Sequence, residues 1–318
     1  MRDLLRRLPL LPQVAATKRQ AAAQGEWALA RRRRRSTTPA LPVSAPAAQA
    51  AADLRRNGVT VLRQVVPRAG VCSLLSELDA QLDRPAVLQP VRDETARRPG
   101  YAGPVDVFLP DEVVRRGPDA YRSLTHHAVV ADPLLTCPSV VAFAFTPLFA
   151  EVAQAYLGCP PGIGGVNLRR TFVNALPEAD ILFFHRDRNS PRFLKFFLYL
   201  HDVGPDGGGF CYIKGSQRAP LWQKDDGSRL PPAELEDRGR SILAVASAGD
   251  VVVADTTGLH RGTKPVVRDR SMLTIDLVLH PEFGGRFSAP AISGTDHLAL
   301  GDATYLADFM RIQPVSPQ

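Results

Sequence analysis

The sequence predicts a mainly β protein with flanking helices, and three observations support this prediction. The second half of the chain contains short segments rich in Val, Ile, Phe and Tyr, separated by Gly, Pro, Asp and Asn, which is the composition of strands and turns. No helical period lies between these segments, which disfavours a parallel α/β sheet. Helical periods lie in the first half instead. We therefore expect an antiparallel sandwich or barrel with a helical flank.

The individual elements follow from the same patterns. Three stretches predict helices: "QAAADLRRNG", "PRAGVCSLLSELDAQLDR" and "PSVVAFAFTPLFAEVAQAYLG". Eight stretches predict strands: "VTVLRQVV", "GIGGVNLRRTFVN", "DILFF", "FLKFFLYLHDV", "GFCYIKG", "SILAVAS", "DVVVAD" and "SMLTIDLVL". The polar stretch 86–127 has no clear period, and a loop of that length in a compact domain is usually a lid or a binding loop.

Charge is distributed unevenly along the chain. The net charge is +7 over 318 residues, but residues 1–40 contain ten Lys or Arg and only two acidic residues, so the remainder is close to neutral. A near-neutral body does not predict a nucleic-acid partner. We divide the chain into a basic tail with a Pro/Ala-rich linker, 1–48, and a single domain, 49–318. The arginines at 31–35 are interpreted as a solvated charged segment, with contact to phosphate or anionic lipid as the weaker alternative.

Targeting and redox signals are sparse. No apolar run reaches the roughly 18 residues that a membrane-spanning helix needs, and we recognise no export signal. The cysteines are scattered without C-x-x-C spacing, so neither a zinc site nor a redox pair is predicted. We expect reduced thiols and a cytoplasmic protein. The oligomeric state is not predicted. The four cysteines are Cys72, Cys137, Cys159 and Cys211.

His185 and Asp187 are the first candidate metal ligands. A His-x-Asp pair is weak by itself, and His280 with Glu282 repeats the spacing of a histidine and a carboxylate by chance. The prediction of a metal site is strengthened by His260, which follows a predicted strand much later in the chain. In an antiparallel double-sheet jelly roll those segments can lie side by side, so that three ligands meet at one mouth of the barrel. Two imidazoles and one carboxylate on one face form the triad of non-haem Fe(II) oxygenases.

Arg270, on the strand after His260, completes the candidate site. Its planar guanidinium suits a carboxylate that is held by two hydrogen bonds. A buried arginine without an anion is costly, so its predicted place inside the barrel implies an acidic co-substrate. 2-Oxoglutarate fits, because its 2-oxo acid end can chelate iron while its distal carboxylate meets Arg270.

The motifs resemble those of the phytanoyl-CoA dioxygenase-like Fe(II)/2-oxoglutarate oxygenases. They are "FFHRDRNSPRFLKFFLYLHDV", "GGGFCYIKGSQ" and "GDVVVADTTGLHRGTKP...DRSMLTID". The resemblance is strong from about residue 162 to 279, and it implies a jelly-roll, cupin-like core over 162–280. The chain departs from the family at two positions. Gly262 replaces a Ser or Thr whose hydroxyl helps to hold 2-oxoglutarate, a contact that Thr263 would have to supply, and Gln217 stands where the family shows His.

The resemblance implies an enzyme that uses Fe(II), 2-oxoglutarate and O2 to oxidise a C–H bond, by hydroxylation or oxidative cyclisation. The Arg-rich loops favour a polar small molecule, such as a sugar-containing metabolite of antibiotic or specialised biosynthesis. Two alternatives remain open: an acyl-CoA or acyl-thioester hydroxylase, and a cupin-like metal-binding module without turnover.

Further polar residues are candidates for the co-substrate pocket. Lys195 shares one strand face with Phe197 and Tyr199, which we expect to point inward, although a solvent-exposed Lys195 is an equally good interpretation. Asn167 and Thr171 share a face of the preceding strand and could line the same pocket, although polar positions on the sheet surface are an equally good interpretation. The His126–His127 pair lacks a carboxylate at ligand spacing and is interpreted as lid or turn structure.

Overall fold

The computed structural model describes residues 12–84, 87–88, 90–93, 105–108, 111–178, 180–187, 190–219, 230, 240–280 and 289–314. Helices occupy most of the first half of the chain, as the periodicity predicted. They are α1 (Pro12–Thr37), α2 (Ala45–Asn57), α3 (Arg68–Asp79), α4 (Asp111–Val114), α5 (Pro118–Tyr121), α6 (Pro133–Thr136), α7 (Pro138–Ala144), α8 (Pro147–Leu157) and, near the C-terminus, α9 (Gly294–Ala299).

Among the described residues, five strands lie in the first half of the chain and nine in the second. They are β1 (Val59–Leu62), β2 (Val87–Leu88), β3 (Pro90–Asp93), β4 (Val105–Phe108), β5 (His127–Val130), β6 (Gly162–Thr171), β7 (Leu194–Tyr199), β8 (Phe210–Ile213), β9 (Ser241–Ala244), β10 (Val251–Ala254), β11 (His260–Gly262), β12 (Arg270–Val278), β13 (Ala291–Ser293) and β14 (Arg311–Gln313).

Two antiparallel sheets form the jelly-roll core. The larger has the strand order β1-β10-β7-β12-β6-β5-β2, and the smaller has the order β11-β8-β9. Most neighbours in the larger sheet are distant in sequence, and the connections between them pass to the other sheet. The predicted fold class, a mainly β protein with a double-stranded β-helix core and flanking helices, is confirmed.

The larger sheet separates two environments because its side chains alternate between faces. On the outer face, Phe196 and Leu198 of β7 pack in one large core with helical residues such as Leu54 and Phe149. On the inner face, Phe197 and Tyr199, together with residues of β10 and β12, pack against β8 and β9 of the smaller sheet. The prediction that Phe197 and Tyr199 point inward is therefore confirmed.

The first boundary of the body lies earlier than the sequence indicated. Helix α2 begins at Ala45, inside the predicted linker, and Ala47 is fully buried in the core. The helix ends at Gly58, which adopts the left-handed conformation (φ 83°) that favours glycine. The predicted tail is itself helical over Pro12–Thr37 and contacts the body. Trp27 donates a hydrogen bond to the Arg192 carbonyl oxygen at 3.3 Å.

Two predicted elements differ from the structure. The single helix expected over 138–158 is divided into α7 and α8, because Pro147 starts a new helix and cannot continue the previous one. Within the described residues this stretch, Pro138–Leu157, is long and apolar enough to cross a membrane, so the expectation that no run would qualify was wrong. The stretch is 56% buried, and packing in the core accounts for its apolar character.

"DILFF", which was predicted as a strand, is a 3-10 turn at Asp180–Leu182 followed by isolated bridges.

Candidate metal centre

His185 and His260 lie directly opposite each other. Each backbone N–H donates to the other residue's carbonyl oxygen, at 2.9 and 3.0 Å, which is an isolated antiparallel bridge between the segment after Leu182 and the start of β11. Residues paired in this way project their side chains to the same side. The imidazole ring centroids are 4.3 Å apart, and both residues are buried. The backbone thus fixes two histidines as neighbours although they are far apart in sequence.

Both imidazoles present the same ring nitrogen to the interior. The Nδ1 of His185 lies 2.8 Å from the Phe183 carbonyl oxygen, and the Nδ1 of His260 lies 3.0 Å from that of Gly258. A carbonyl oxygen can only accept, so each Nδ1 carries the hydrogen and each Nε2 keeps its lone pair. Two oriented Nε2 atoms with backbone partners behind them are what a bound divalent metal requires.

Asp187 supplies the third ligand. Its backbone N–H donates to the Thr256 carbonyl oxygen at 2.9 Å, which anchors the residue beside the histidines. One carboxylate oxygen lies 3.7 Å from the Nε2 of His185, and the other lies 3.5 Å from that of His260. All three ligand atoms lie within 4.8 Å of one another. A metal at about 2.0–2.2 Å from N and O ligands can be accommodated with a small inward movement, so these residues fit a divalent cation.

Lys195 lies beside this carboxylate. Its Nζ is 3.0 Å from Asp187 Oδ2 and 3.6 Å from Asp276 Oδ2. Burial raises the pKa of Asp187, but Lys195 and the two imidazoles outweigh it and hold that pKa well below its ordinary value, so the carboxylate is ionised. Burial lowers the pKa of Lys195, and the two carboxylates more than reverse this effect. Lys195 thus belongs to the site. Its side chain is 18% exposed, which is inconsistent with the solvent-exposed interpretation.

Arg270 begins β12 on the inner face, six residues before Asp276. It is 3% exposed, and its Nη2 donates to the Thr171 hydroxyl at 3.2 Å. Burial lowers the pKa of the guanidinium. Asn167 lies on the same face of β6, and its side-chain oxygen is buried without a hydrogen-bond partner among the described residues. The structure therefore brings Arg270, Thr171 and Asn167 to one wall of the interior.

Thr263 and Gln217 have other partners. The Thr263 hydroxyl donates to the Gly209 carbonyl oxygen at 3.0 Å, so its hydrogen is already used. Its predicted contact with 2-oxoglutarate stays a prediction, now with a competing partner. Gln217 donates to the carbonyl oxygen of Leu54 at 3.1 Å, near the end of α2, and so supports that helix end.

Three residues of the interior were not identified from the sequence. Arg169 lies on β6 between Asn167 and Thr171, so the alternation that placed those two on one face also places Arg169 there. Asp276 shares the inner face of β12 with Arg270 for the same reason. His127 was interpreted as lid or turn, which was wrong. It begins β5 and pairs with Thr171. The strand period was the signal for Arg169 and Asp276, whereas the stretch that ends at His127 has no clear period.

A jelly roll with two histidines and one carboxylate at one mouth defines a class of protein, the mononuclear non-haem metal enzymes. The family comparison is more specific. The sequence profile of phytanoyl-CoA dioxygenase (PhyH) matches residues 54–265, and the chain belongs to this family. A search of curated protein sequences found no significant match.

Solved structures share the fold at low sequence identity. The non-heme alpha ketoglutarate dependent epimerase SnoN from nogalamycin biosynthesis is 17% identical, with a TM-score of 0.53 over 77% of this chain and 92% of that chain. HygX from Streptomyces hygroscopicus, with nickel and 2-oxoglutarate bound, is 15% identical, with a TM-score of 0.50 over 74% and 87%. AviO1 from Streptomyces viridochromogenes Tue57 is 19% identical, with a TM-score of 0.50 over 74% and 96%.

Proposed function

We propose that the protein is an Fe(II)- and 2-oxoglutarate-dependent dioxygenase that oxidises a C–H bond of a polar small molecule. The observation that supports this most directly is the convergence of His185, Asp187 and His260 within 4.8 Å, with the buried Arg270 on the inner face of the same barrel. The first three residues would hold Fe(II), and Arg270 would hold the distal carboxylate of 2-oxoglutarate. Lys195, Asn167 and Thr171 are proposed to line the co-substrate pocket.

The iron and its co-substrate would supply the oxidising chemistry with O2, releasing succinate and CO2. The protein's own residues prepare the site for them. Backbone carbonyl oxygens hold both imidazoles in one tautomer, and the low pKa of Asp187 keeps its carboxylate charged. Three ligands on one face leave the opposite positions open. The apolar side chains of Phe197, Phe210 and their neighbours between the sheets exclude water.

The substrate class rests on the polar interior and on structural neighbours. SnoN has been solved with Fe3+, alpha ketoglutarate and nogalamycin RO, at 17% identity and a TM-score of 0.52. We therefore propose a metabolite of antibiotic or specialised biosynthesis, acted on in the cytoplasm. SnoN is named an epimerase, so epimerisation joins hydroxylation and cyclisation as an outcome to be distinguished. Within its described residues, the stretch 86–127 that is expected to cover this substrate contains β2, β3, β4, α4 and α5.

The test is anaerobic spectroscopy followed by product analysis. Fe(II) and 2-oxoglutarate together should produce a weak visible charge-transfer band, and O2 should then yield succinate. His185→Ala and Asp187→Ala should abolish both signals, because each removes a ligand. His280→Ala is the matched control: this histidine has the chance neighbour Glu282 and lies outside the site, so both signals should persist.

Two results would contradict the proposal. A wild-type protein that gives no band with Fe(II) and 2-oxoglutarate is not an enzyme of this type, and the cupin-like binding module becomes the better assignment. A band that survives in both ligand variants would place the metal elsewhere. Screening candidate metabolites for stimulated succinate release, with mass analysis of each product, then separates polar metabolites from acyl thioesters.

A further inference from the structure

Arg169 occupies a specific level of the barrel interior. It pairs across the sheet with Met272 of β12, which in turn pairs with Tyr199 of β7. Arg270 lies one inward-facing position further along, opposite Thr171. Lys195, beside the metal ligands, lies at the other end of the same face. The guanidinium of Arg169 therefore belongs between the metal end and Arg270.

Neither Arg169 nor Arg270 forms an ion pair in the part of the chain that the structure describes, and the Nε of each is buried there without a hydrogen-bond acceptor. Burial and the proximity of Arg270 together lower the pKa of Arg169 to about 9, although Asp187, Tyr199 and Asp276 act in the opposite direction. Two guanidinium groups that repel each other in an enclosed space are unfavourable unless an anion lies between them.

Among the described residues, Asp187 and Asp276 raise the pKa of Arg169, but not enough to offset burial and Arg270. Asp187 and Asp276 both lie next to the ammonium group of Lys195, and Asp187 is also a proposed metal ligand. Three cationic and two anionic side chains leave a positive surplus on these described parts of the interior. A divalent metal increases the surplus by two charges, and a dicarboxylate offsets that increase.

Position 262 adds a separate observation. Gly262 lies on the same strand face as His260, where the resemblance implies a hydroxyl for the co-substrate. A Cβ built on Gly262 would meet its nearest atom, the Ile181 carbonyl oxygen, at 3.8 Å, so there is room for a side chain. The missing hydroxyl is therefore not a consequence of steric restriction. The chain can dispense with it if another donor holds the same carboxylate.

We propose that Arg169 is a second anchor for the distal carboxylate of 2-oxoglutarate, acting with Arg270 and taking the part of the absent hydroxyl at position 262. The inference rests on the proposed function. Two guanidinium groups can each donate to a carboxylate oxygen, so Arg169 increases selectivity for a 2-oxo acid that carries a second carboxylate. Arg169 thereby determines co-substrate specificity, and its effect can be measured without turnover.

The experiment compares two ligands under anaerobic conditions. 2-Oxoglutarate and 2-oxopentanoate have the same chain length and the same 2-oxo acid end, but only the former has a distal carboxylate. Calorimetric titration of the Ni(II)-loaded protein gives the dissociation constant of each. Arg169→Met should weaken 2-oxoglutarate binding ten- to a hundredfold and leave 2-oxopentanoate binding within about twofold, since a hydrogen bond to a charged group contributes about 1.5–3 kcal/mol.

Matched variants separate this role from a structural one. Arg169→Lys keeps the charge and should recover part of the lost affinity. Arg170→Met is the control, because Arg170 points to the outer face and pairs with Asp79 at 2.7 Å. Its 2-oxoglutarate affinity should be unchanged. Arg169→Gln, a polar replacement, serves if the Met variant does not fold.

Two outcomes would overturn the inference alone. One is wild-type affinity for 2-oxoglutarate in folded Arg169 variants while Arg270→Met loses it. The other is an equal loss for both ligands, which would assign Arg169 to the 2-oxo acid end or to the protein's structure. If the wild-type protein loaded with Ni(II) binds neither ligand, both the proposed function and this inference fail.

Discussion

At the scale of single residues, Lys195 lies where it can balance the charge of the candidate metal site when no metal is bound. Its ammonium group lies 3.0 Å from the carboxylate of Asp187, a candidate metal ligand. Gly165, opposite Asp276, leaves space for the second carboxylate, since a Cβ there would approach Asp276 Oδ2 to 3.1 Å. Lys195 and a metal therefore compete for the charge of Asp187.

Replacing Lys195 should separate these two effects. Lys195→Met should lower the melting temperature of the metal-free protein, because it leaves two neighbouring carboxylates without their cation. The increase in melting temperature on adding Ni(II) should be larger than in the wild type, because the metal no longer displaces a lysine. Thermal unfolding with and without Ni(II) measures both quantities.

Lys214→Met is the control, because Lys214 is also a lysine but is exposed. This variant should change neither the metal-free melting temperature nor its response to Ni(II). An unchanged response in Lys195→Met would show that Lys195 and the metal do not compete for Asp187.

At the scale of elements, β6 shows what alternation reveals and what it hides. The apolar strand β12 and its Arg270 could be predicted because one strong period runs through the segment. In β6 two arginines are adjacent. The strand period places Arg169 on one face with Asn167 and Thr171, and the structure shows that this face lines the site while Arg170 faces α3. The strand period shows which residues share a face, but it does not show which of the two faces is the inner one.

Helix α1 shows that a buried charged residue can be missed when a charged segment is interpreted as solvated. Its five consecutive arginines, 31–35, were interpreted as a solvated segment because no apolar period accompanies them. In the structure, Arg34 is 6% exposed and donates to the Tyr305 carbonyl oxygen and to Asp308, both at 3.2 Å. Its guanidinium also lies 4.9 Å from the ring centre of Phe309. One arginine of this run can thus anchor the helix to the body, and the composition of the run does not reveal which arginine it is.

A pair of substitutions within this run tests the anchoring. Arg34→Ala should lower the free energy of unfolding by about 1–3 kcal/mol, because it removes a buried side chain and the hydrogen bonds that it donates. Arg32→Ala, at an exposed position of the same helix, should change it by less than about 0.5 kcal/mol. Urea unfolding measures both. Equal small effects would mean that α1 does not stabilise the body.

At the scale of the whole molecule, the buried titratable groups set the dependence of stability on pH. Burial, with Arg169, His126 and Arg270 nearby, lowers the pKa of His127 to about 3. An unfolded histidine takes up a proton near pH 6.5, so the unfolded state is favoured progressively as the pH falls below that value. The pKa of Asp250 is also lowered, despite burial, by donors such as Gln64 and Arg63. Its contribution is lost only below about pH 4.

The unfolding free energy of the wild type should therefore fall between pH 7 and pH 5. His127→Asn should reduce this slope, by at most about 1.4 kcal/mol per pH unit, because its side chain does not titrate. Asp250→Asn is the control: it should lower stability at neutral pH but leave the slope between pH 5 and pH 7 unchanged. Urea unfolding at each pH measures the slopes, and identical slopes for His127→Asn and the wild type would contradict the assignment.

Much of the overall architecture could be predicted from sequence, for a physical reason. Strand periods and turn residues are local, so seven of the eight predicted strands and the ends of α2 and α8 are found where expected. The convergence of the three candidate metal ligands could be predicted, because chemistry restricts such ligands to a few residue types at strand ends. What could not be predicted depends on distant contacts: the anchoring of α1 and the interior place of His127. The break before Pro147 had a local signal, the proline itself, which the single-helix prediction overlooked.

The reciprocal backbone pair of His185 and His260 also bears on how the protein matures. The chain between them builds β7 to β10, so a nascent or clipped chain that ends before residue 260 offers a metal only two of the three ligands. Tight metal capture is therefore coupled to closure of the barrel. We expect the protein to acquire a reactive centre only after the walls that shield it are complete, which protects a partly folded chain from oxidising itself.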